Sequence, residues 1–173
     1  KSECDLMHKG QIIFSYLHLA AEPEMTRYLL EKEVVGIAFE TVDSKEQRLP
    51  LLKPMSEVAG KISTQFGAFA LQKNNGGPGV LLGGVTGVDP INVTVLGGGV
   101  VGYNAALIAH GMGGNVTILE KSEERMQELD RLFSGKVAMK YSNNENLESL
   151  LPKTELLIGA ILLPGAKALK IVT

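Results

Sequence analysis

Ile91-Asn92-Val93-Thr94-Val95-Leu96-Gly97-Gly98-Gly99-Val100-Val101-Gly102 is the stretch from which the fold can be read. Residues 91–96 are apolar and β-rich, which predicts a strand. Three glycines follow, and residues 101–110 then read as a helix that stops at Gly111, Gly113 and Gly114. Gly97, Gly99 and Gly102 supply the spacing G-x-G-x-x-G. In a chain with 20 glycines that spacing alone is weak, so its context decides. The motif follows a strand and opens a helix. The next strand, residues 116–119, ends at an acid, Glu120, eighteen residues beyond Gly102. The expected interval is about 20.

Each residue type has a reason to be there. Gly97 permits a tight turn, Gly99 lets backbone approach a pyrophosphate, and Gly102 allows close helix–strand packing. The helix starting at Val100 and Val101 offers N–H groups and a positive dipole end to phosphate. Glu120 is placed to accept hydrogen bonds from ribose hydroxyls, and its charge repels a 2′-phosphate, which selects NAD over NADP. Arg125 pulls the other way, because a nearby arginine can serve a 2′-phosphate.

The same alternation continues toward the C-terminus. Residues 122–133 read as a helix with Ser122 as N-cap, Glu123 and Glu124 at its positive end, and Met126, Leu129 and Phe133 as its buried stripe. Residues 137–141 form a strand and 145–151 a short helix. The nearly continuous apolar run 156–163 predicts a central parallel strand covered on both faces. The order βαβαβαβ is an α/β, doubly wound parallel sheet lacking its last strand or two.

Toward the N-terminus, residues 11–19 read as a buried strand. A helix opens at Pro23, with Met25, Tyr28 and Leu29 on one side, and residues 34–41 form a second strand. Such a βαβ unit makes the two strands parallel. After a polar connection, Pro54, Met55 and Ser56 lead into a helix reaching about Lys73. Ile62, Phe66 and Phe69 recur in it at helical spacing, which predicts packing on that face. The glycine-rich residues 74–90 read equally as a linker or as an ordered loop near a ligand.

Composition narrows the function classes. A hydrophobic fraction of 45% supports a buried core, and a net charge of −2 with scattered Lys and Arg argues against a nucleic-acid binder or a membrane-surface protein. No apolar run is long enough to span a bilayer and no signal peptide precedes the body, so a cytoplasmic protein is expected. The single cysteine, Cys4, reads as an ordinary thiol near a loose terminus. No metal site is expected. The ends do not resemble natural domain ends, so an internal fragment is expected.

His18 is the candidate for chemistry. It follows the first strand, near the edge where open α/β sheets place ligands, and imidazole both takes and returns a proton near neutrality. His8 and His110 read as structural.

Several segments together resemble bacterial alanine dehydrogenase: Tyr16-Leu17-His18-Leu19-Ala20, Pro54-Met55-Ser56-Glu57-Val58-Ala59-Gly60, Leu81-Leu82-Gly83-Gly84-Val85 with Gly87-Val88, the glycine loop, and Leu163-Pro164-Gly165-Ala166-Lys167-Ala168. The resemblance covers nearly the whole chain. It implies two Rossmann-like domains facing a cleft, and reversible oxidative deamination of L-alanine to pyruvate and ammonium with NAD taking the hydride. It implies that residues 1–52 are part of the catalytic domain, 53–73 an inter-domain helix and 74–173 the NAD-binding domain, with 74–90 ordered. His18 becomes an acid/base group that contacts substrate. Ser56, the loop Gly97, Gly99, Val100, Val101 and Gly102, together with Glu120, Arg125, Ser142, Ile161 and Leu162, become the cofactor lining. A homo-oligomer, hexameric as in the family, is also implied. Glu120 departs from the family's usual aspartate by one methylene. The family's substrate-binding arginine and lysine and its aspartate beside the nicotinamide lie outside this chain. Two other readings are the soluble part of the related proton-translocating transhydrogenase, which shares the fold, and an NAD-binding module without turnover.

Overall fold

The computed structural model describes residues 2–46, 48–162 and 170–172. It contains two compact units, Lys1–Met55 with Leu162–Thr173, and Ser56–Ile161.

The first unit holds α1 (Ser2–Asp5), β1 (Ile12–Ser15), α2 (Pro23–Glu31) and β2 (Val35–Ala38), then a 3₁₀ turn, Phe39–Thr41. The strands are parallel, in register from Ile12↔Val35 to Ser15↔Ala38, as a βαβ crossover requires. Both are shorter than the sequence pattern implies. Beyond Ser15 the chain leaves the ladder and reaches a left-handed residue at His18, φ +48°, which no strand can contain. Beyond Ala38 it tightens into the 3₁₀ turn. The expected buried strand is corrected too, because Ile12 and Phe14 are exposed. Pro23 opens α2 as expected, and Leu29 is the residue that helix buries. Cys4 is buried in α1 rather than loose.

Helix α3 (Leu52–Ala70) runs across the division between the units. The second unit continues with a 3₁₀ turn, Lys73–Asn75, then β3 (Asn92–Leu96), α4 (Val100–Gly111), β4 (Asn115–Glu120), α5 (Glu123–Phe133), β5 (Ala138–Tyr141), α6 (Asn144–Leu150) and β6 (Leu156–Gly159). Its sheet has the order β5-β4-β3-β6, all parallel. The order reverses between β4 and β6 about β3, the doubly wound arrangement that opens a crevice at the strands' carboxyl ends. Val93, Val95 and Ile118 on the strands have no solvent exposure, nor do Ala105, Ala106 and Ala109 of α4; the small side chains let that helix lie close on the sheet. The caps of α5 and α6 form as their sequences dictate: Ser122 accepts from the Arg125 N–H, and Asn143 from the Asn146 N–H.

Residues 74–90 are ordered. Gly79 donates to the Leu71 carbonyl, Val85 and Val88 bridge, and Leu82 is buried in the core. Two expectations are corrected. The strand in the run 156–163 is shorter than the pattern implies: β6 ends at Gly159 and pairs with β3 among the described residues, while Leu163 and the segment through Ala168 lie outside them. In α3 the side chains expected to pack, Ile62, Phe66 and Phe69, are exposed. Gly60, Thr64 and Gly67 face the sheet unit instead. Gly60 abuts the backbone of Val101 and Ala105, Thr64 donates its hydroxyl proton to the Ala105 carbonyl, and Gly67 lies against Leu156. Periodicity located a helix face; it took close backbone approach through glycine to decide which face was inward.

No helix among the described residues is long and apolar enough to cross a membrane.

Candidate functional site

The strand ends of the second unit are tied together one residue past the ladder. Gly97 donates to the Leu119 carbonyl at 2.8 Å, Ala160 to Leu96 at 2.8 Å and Ser142 to Glu120 at 2.9 Å. The segments after β3, β4, β5 and β6 therefore sit side by side on the sheet's carboxyl edge. Gly97 turns there at φ +98°, a conformation that favours glycine. A β-carbon on it would also press on the Ala160 carbonyl and the Ile161 side chain. At Gly102 a β-carbon would run into the Gly97 carbonyl oxygen, so this glycine closes the turn onto the helix.

Gly99 is different. It is the N-cap residue of α4, and a β-carbon there would have no described atom within 4 Å. No side chain caps the helix, so the first-turn amides of α4, at Val100, Val101 and Gly102, have no side-chain acceptor at the cap. The fold does not need Gly99 bare; a ligand lying on those amides would.

Glu120 ends β4 and its carboxylate bridges two turns. Oε2 accepts from the Gly98 N–H at 2.6 Å, and Oε1 from the N–H groups of Lys121 at 2.7 Å and Ser122 at 2.9 Å. Arg125 holds the same peptide from its other side, Nε donating to the Gly98 carbonyl at 2.7 Å while the guanidinium pairs with Glu128. Gly98, which the motif spacing leaves as filler, is thus gripped at both N–H and C=O, and a β-carbon there would overlap Leu129. Its role was hidden because it depends on Glu120 folding back, which no spacing reveals.

The structure therefore gathers Gly97, Gly99, Val100, Val101, Gly102, Glu120, Arg125, Ser142 and Ile161 on one edge. Ser56 is buried in α3, one turn before Gly60 on the same helix face. His18 and Leu162 belong to the other unit. Among the described residues no group of three or more His, Cys, Asp and Glu side chains could hold a metal.

In the first unit, β1 and β2 end side by side at Ser15 and Ala38. The side chain of Glu40, two residues beyond Ala38, reaches the backbone of the outgoing β1 chain. Its Oε1 accepts from the His18 N–H at 2.6 Å, and both oxygens lie 3.3 Å from the Leu17 N–H. The His18 side chain is exposed. Tyr16 stacks on it, with ring centroids 6.2 Å apart and planes 12° from parallel, and donates its hydroxyl proton to the Leu51 carbonyl at 2.6 Å. Burial raises the Glu40 carboxyl, but hydrogen bonds from its own N–H and from His18 and Leu17, with the nearby charge of His18, outweigh that and hold it below the ordinary value. Sequence reasoning passed over Glu40. The available signal was an acid just beyond the parallel partner of the strand that leads to His18.

Comparison with known proteins adds the following. Residues 63–173 match the family described as alanine dehydrogenase/PNT, C-terminal domain, and residues 1–59 match the N-terminal domain of the same family. The chain is 53% identical over 173 residues to alanine dehydrogenase from Methanococcus maripaludis, covering all of this chain and 46% of that protein. It is also 53% identical to alanine dehydrogenase from Staphylococcus saprophyticus, covering 47% of it. The chain thus spans about half the length of the curated relatives it matches. A solved L-alanine dehydrogenase superposes with a TM-score of 0.83 at 49% identity, over 96% of this chain and 46% of that one. A transhydrogenase from Sinorhizobium meliloti shares the fold, with a TM-score of 0.74 at 16% identity over 98% of this chain and 50% of that one.

Proposed function

The chain belongs to the alanine dehydrogenase/PNT family, and from that premise we propose that the protein is an NAD-dependent alanine dehydrogenase, reversibly converting L-alanine to pyruvate and ammonium. The observation that carries this reading is the uncapped start of α4 behind a bare Gly99, with the Glu120 carboxylate fixed beside it on the same sheet edge.

NAD supplies the hydride acceptor when bound. The amides of Val100, Val101 and Gly102 hold its pyrophosphate, with the helix dipole aiding the negative charge. An ionised carboxylate has about four acceptor positions. Three N–H groups occupy Glu120, leaving roughly one for a ribose hydroxyl. Glu120, one methylene longer than the family's usual aspartate, folds back on Gly98. A 2′-phosphate would face this negative charge, and Arg125 is already engaged by the Gly98 carbonyl and Glu128. Both features favour NAD over NADP. Ser56, Ser142, Ile161 and Leu162 complete the lining. In this reading residues 1–52 are part of the substrate domain, 53–73 join the domains and 74–173 bind the nucleotide.

His18 moves the protons. Oxidation removes a hydride from the alanine Cα and a proton from its amine, giving an imine; water adds and ammonium leaves. His18 accepts and returns protons in these steps as the general acid/base. The protein works in the cytoplasm as a homo-oligomer, hexameric by resemblance. The test is NADH formation by the full-length protein on adding L-alanine, alongside His18→Ala. Alanine-dependent NADH that His18→Ala abolishes is expected. No alanine-dependent NADH from the full-length protein would overturn the reading.

A further inference from the structure

His18 stands in a left-handed backbone conformation, φ +48°, which residues with a β-carbon adopt only where their surroundings hold them. What holds it is on the page. Its carbonyl accepts from the Ala21 N–H at 2.9 Å, closing a turn after the strand. Its own N–H and that of Leu17 point at one carboxylate, Glu40. Its ring lies on Tyr16, whose hydroxyl is anchored to Leu51 and whose ring packs nearly perpendicular to that of Phe39, centroids 5.1 Å apart. Phe39 and Glu40 are consecutive in the 3₁₀ turn after β2. That one turn therefore supports both the ring and the backbone of His18.

We propose that Glu40 is a positioning residue for catalysis: by accepting the Leu17 and His18 N–H groups it fixes the left-handed turn that presents the His18 imidazole. This rests on the reading of His18 as the acid/base group. Glu40 touches neither substrate nor cofactor in this proposal; it acts through the backbone. Charge-assisted hydrogen bonds from backbone N–H to carboxylate are among the stronger ones, and Glu40 is held in its ionised form by those same bonds. Without that acceptor only the Ala21 hydrogen bond and the Tyr16 ring oppose the unfavourable φ, and the turn relaxes toward ordinary geometry. The imidazole then samples positions from which proton transfer is poorly aligned.

The experiment compares Glu40→Ala, Glu40→Gln and His18→Ala in the full-length protein. Glu40→Ala should lower kcat about a hundredfold, the size of a small misplacement of a reacting group, while KM for NAD stays as in wild type. Glu40→Gln should recover most of that loss, because its amide oxygen still accepts an N–H without carrying charge. Amide hydrogen exchange provides a readout that needs no activity. The His18 amide should exchange slowly in wild type and in Glu40→Gln, and quickly in Glu40→Ala. A wild-type His18 amide exchanging as fast as an unbonded surface amide would overturn the proposal, whether or not Glu40→Ala folds. So would Glu40→Gln as impaired as Glu40→Ala, which would make charge the agent. Full turnover in Glu40→Ala where His18→Ala is dead would also overturn it. Full turnover in His18→Ala would instead remove the acid/base reading on which the proposal stands.

Discussion

Gly99 and Gly102 lie three residues apart at one helix start, and a side chain on each would meet opposite surroundings. At Gly99 there is open space; at Gly102 there is the Gly97 carbonyl. Gly99→Val should therefore keep its melting temperature and lose NAD binding, because only a ligand on the amides of α4 needs that space. Gly102→Ala should destabilise the protein by about 1–3 kcal/mol, the range for inserting an atom into a packed site. Thermal melts and NAD titration of the two variants check both halves. Retained NAD affinity in Gly99→Val would remove the pyrophosphate from this loop. Glu120→Ala should weaken NAD about 10- to 100-fold, the value of a hydrogen bond to a charged group, and narrow the preference for NAD over NADP. Competition titration with the two nucleotides measures it. An unchanged ratio would mean that the carboxylate serves only the loop. The motif residues and Glu120 were legible because residue type and interval are written in the chain. Gly98 and Glu40 were not, since each matters through a carboxylate folding back across 22 residues, Glu120 onto Gly98 and Glu40 onto His18.

Helix α3 is the element for which pattern and packing disagree most. Val58, Ile62, Phe66 and Phe69 form an exposed stripe, with the Phe66 and Phe69 rings 5.9 Å apart. The buried side is Ser56, Gly60, Thr64 and Gly67. Hydrophobicity points to the first set, because it rewards large side chains and is blind to glycine. The inward face is chosen by how closely α3 approaches the backbone of α4. Gly60→Ala should consequently cost about 1–3 kcal/mol, since its β-carbon has backbone rather than a mobile side chain in its way. Phe66→Gln should change stability by no more than about 0.5 kcal/mol, as surface substitutions do. Urea unfolding of the two variants decides it, and a larger loss in Phe66→Gln would show that the stripe is the packed side. Helix α5 was legible because cap and amphipathic spacing agree in it: Ser122 accepts the Arg125 N–H and Leu129 and Phe133 are buried. Strand lengths were less so. β1 stops where His18 must turn, and the run after Leu156 stops pairing at Gly159. At β1 a turn overrides an apolar run that would otherwise extend the strand.

At the scale of the whole molecule, the proposed cofactor lining and the proposed acid/base group lie mostly in different units. The glycine loop, Glu120, Arg125, Ser142 and Ile161 lie in the unit Ser56–Ile161, and His18 lies in the other. The chain spans 46% of a relative 53% identical to it, and the resemblance assigns the arginine, lysine and aspartate that hold substrate and flank the nicotinamide to sequence outside it. The 173-residue chain should then bind NAD through a loop whose turn, cap and carboxylate are all internal to one unit. It should nevertheless fail to turn over. Hydride transfer requires the substrate Cα held within about 3–3.5 Å of the acceptor carbon, and that restraint can account for several powers of ten in rate. Calorimetric NAD titration of the chain should give saturable binding that Gly99→Val removes. Alanine-dependent NADH formation should lie at least about a thousandfold below that of the full-length protein. Turnover by the chain near the full-length rate would mean that the groups holding alanine are among these 173 residues. The search for them would then move to the polar side chains around His18 and Glu40.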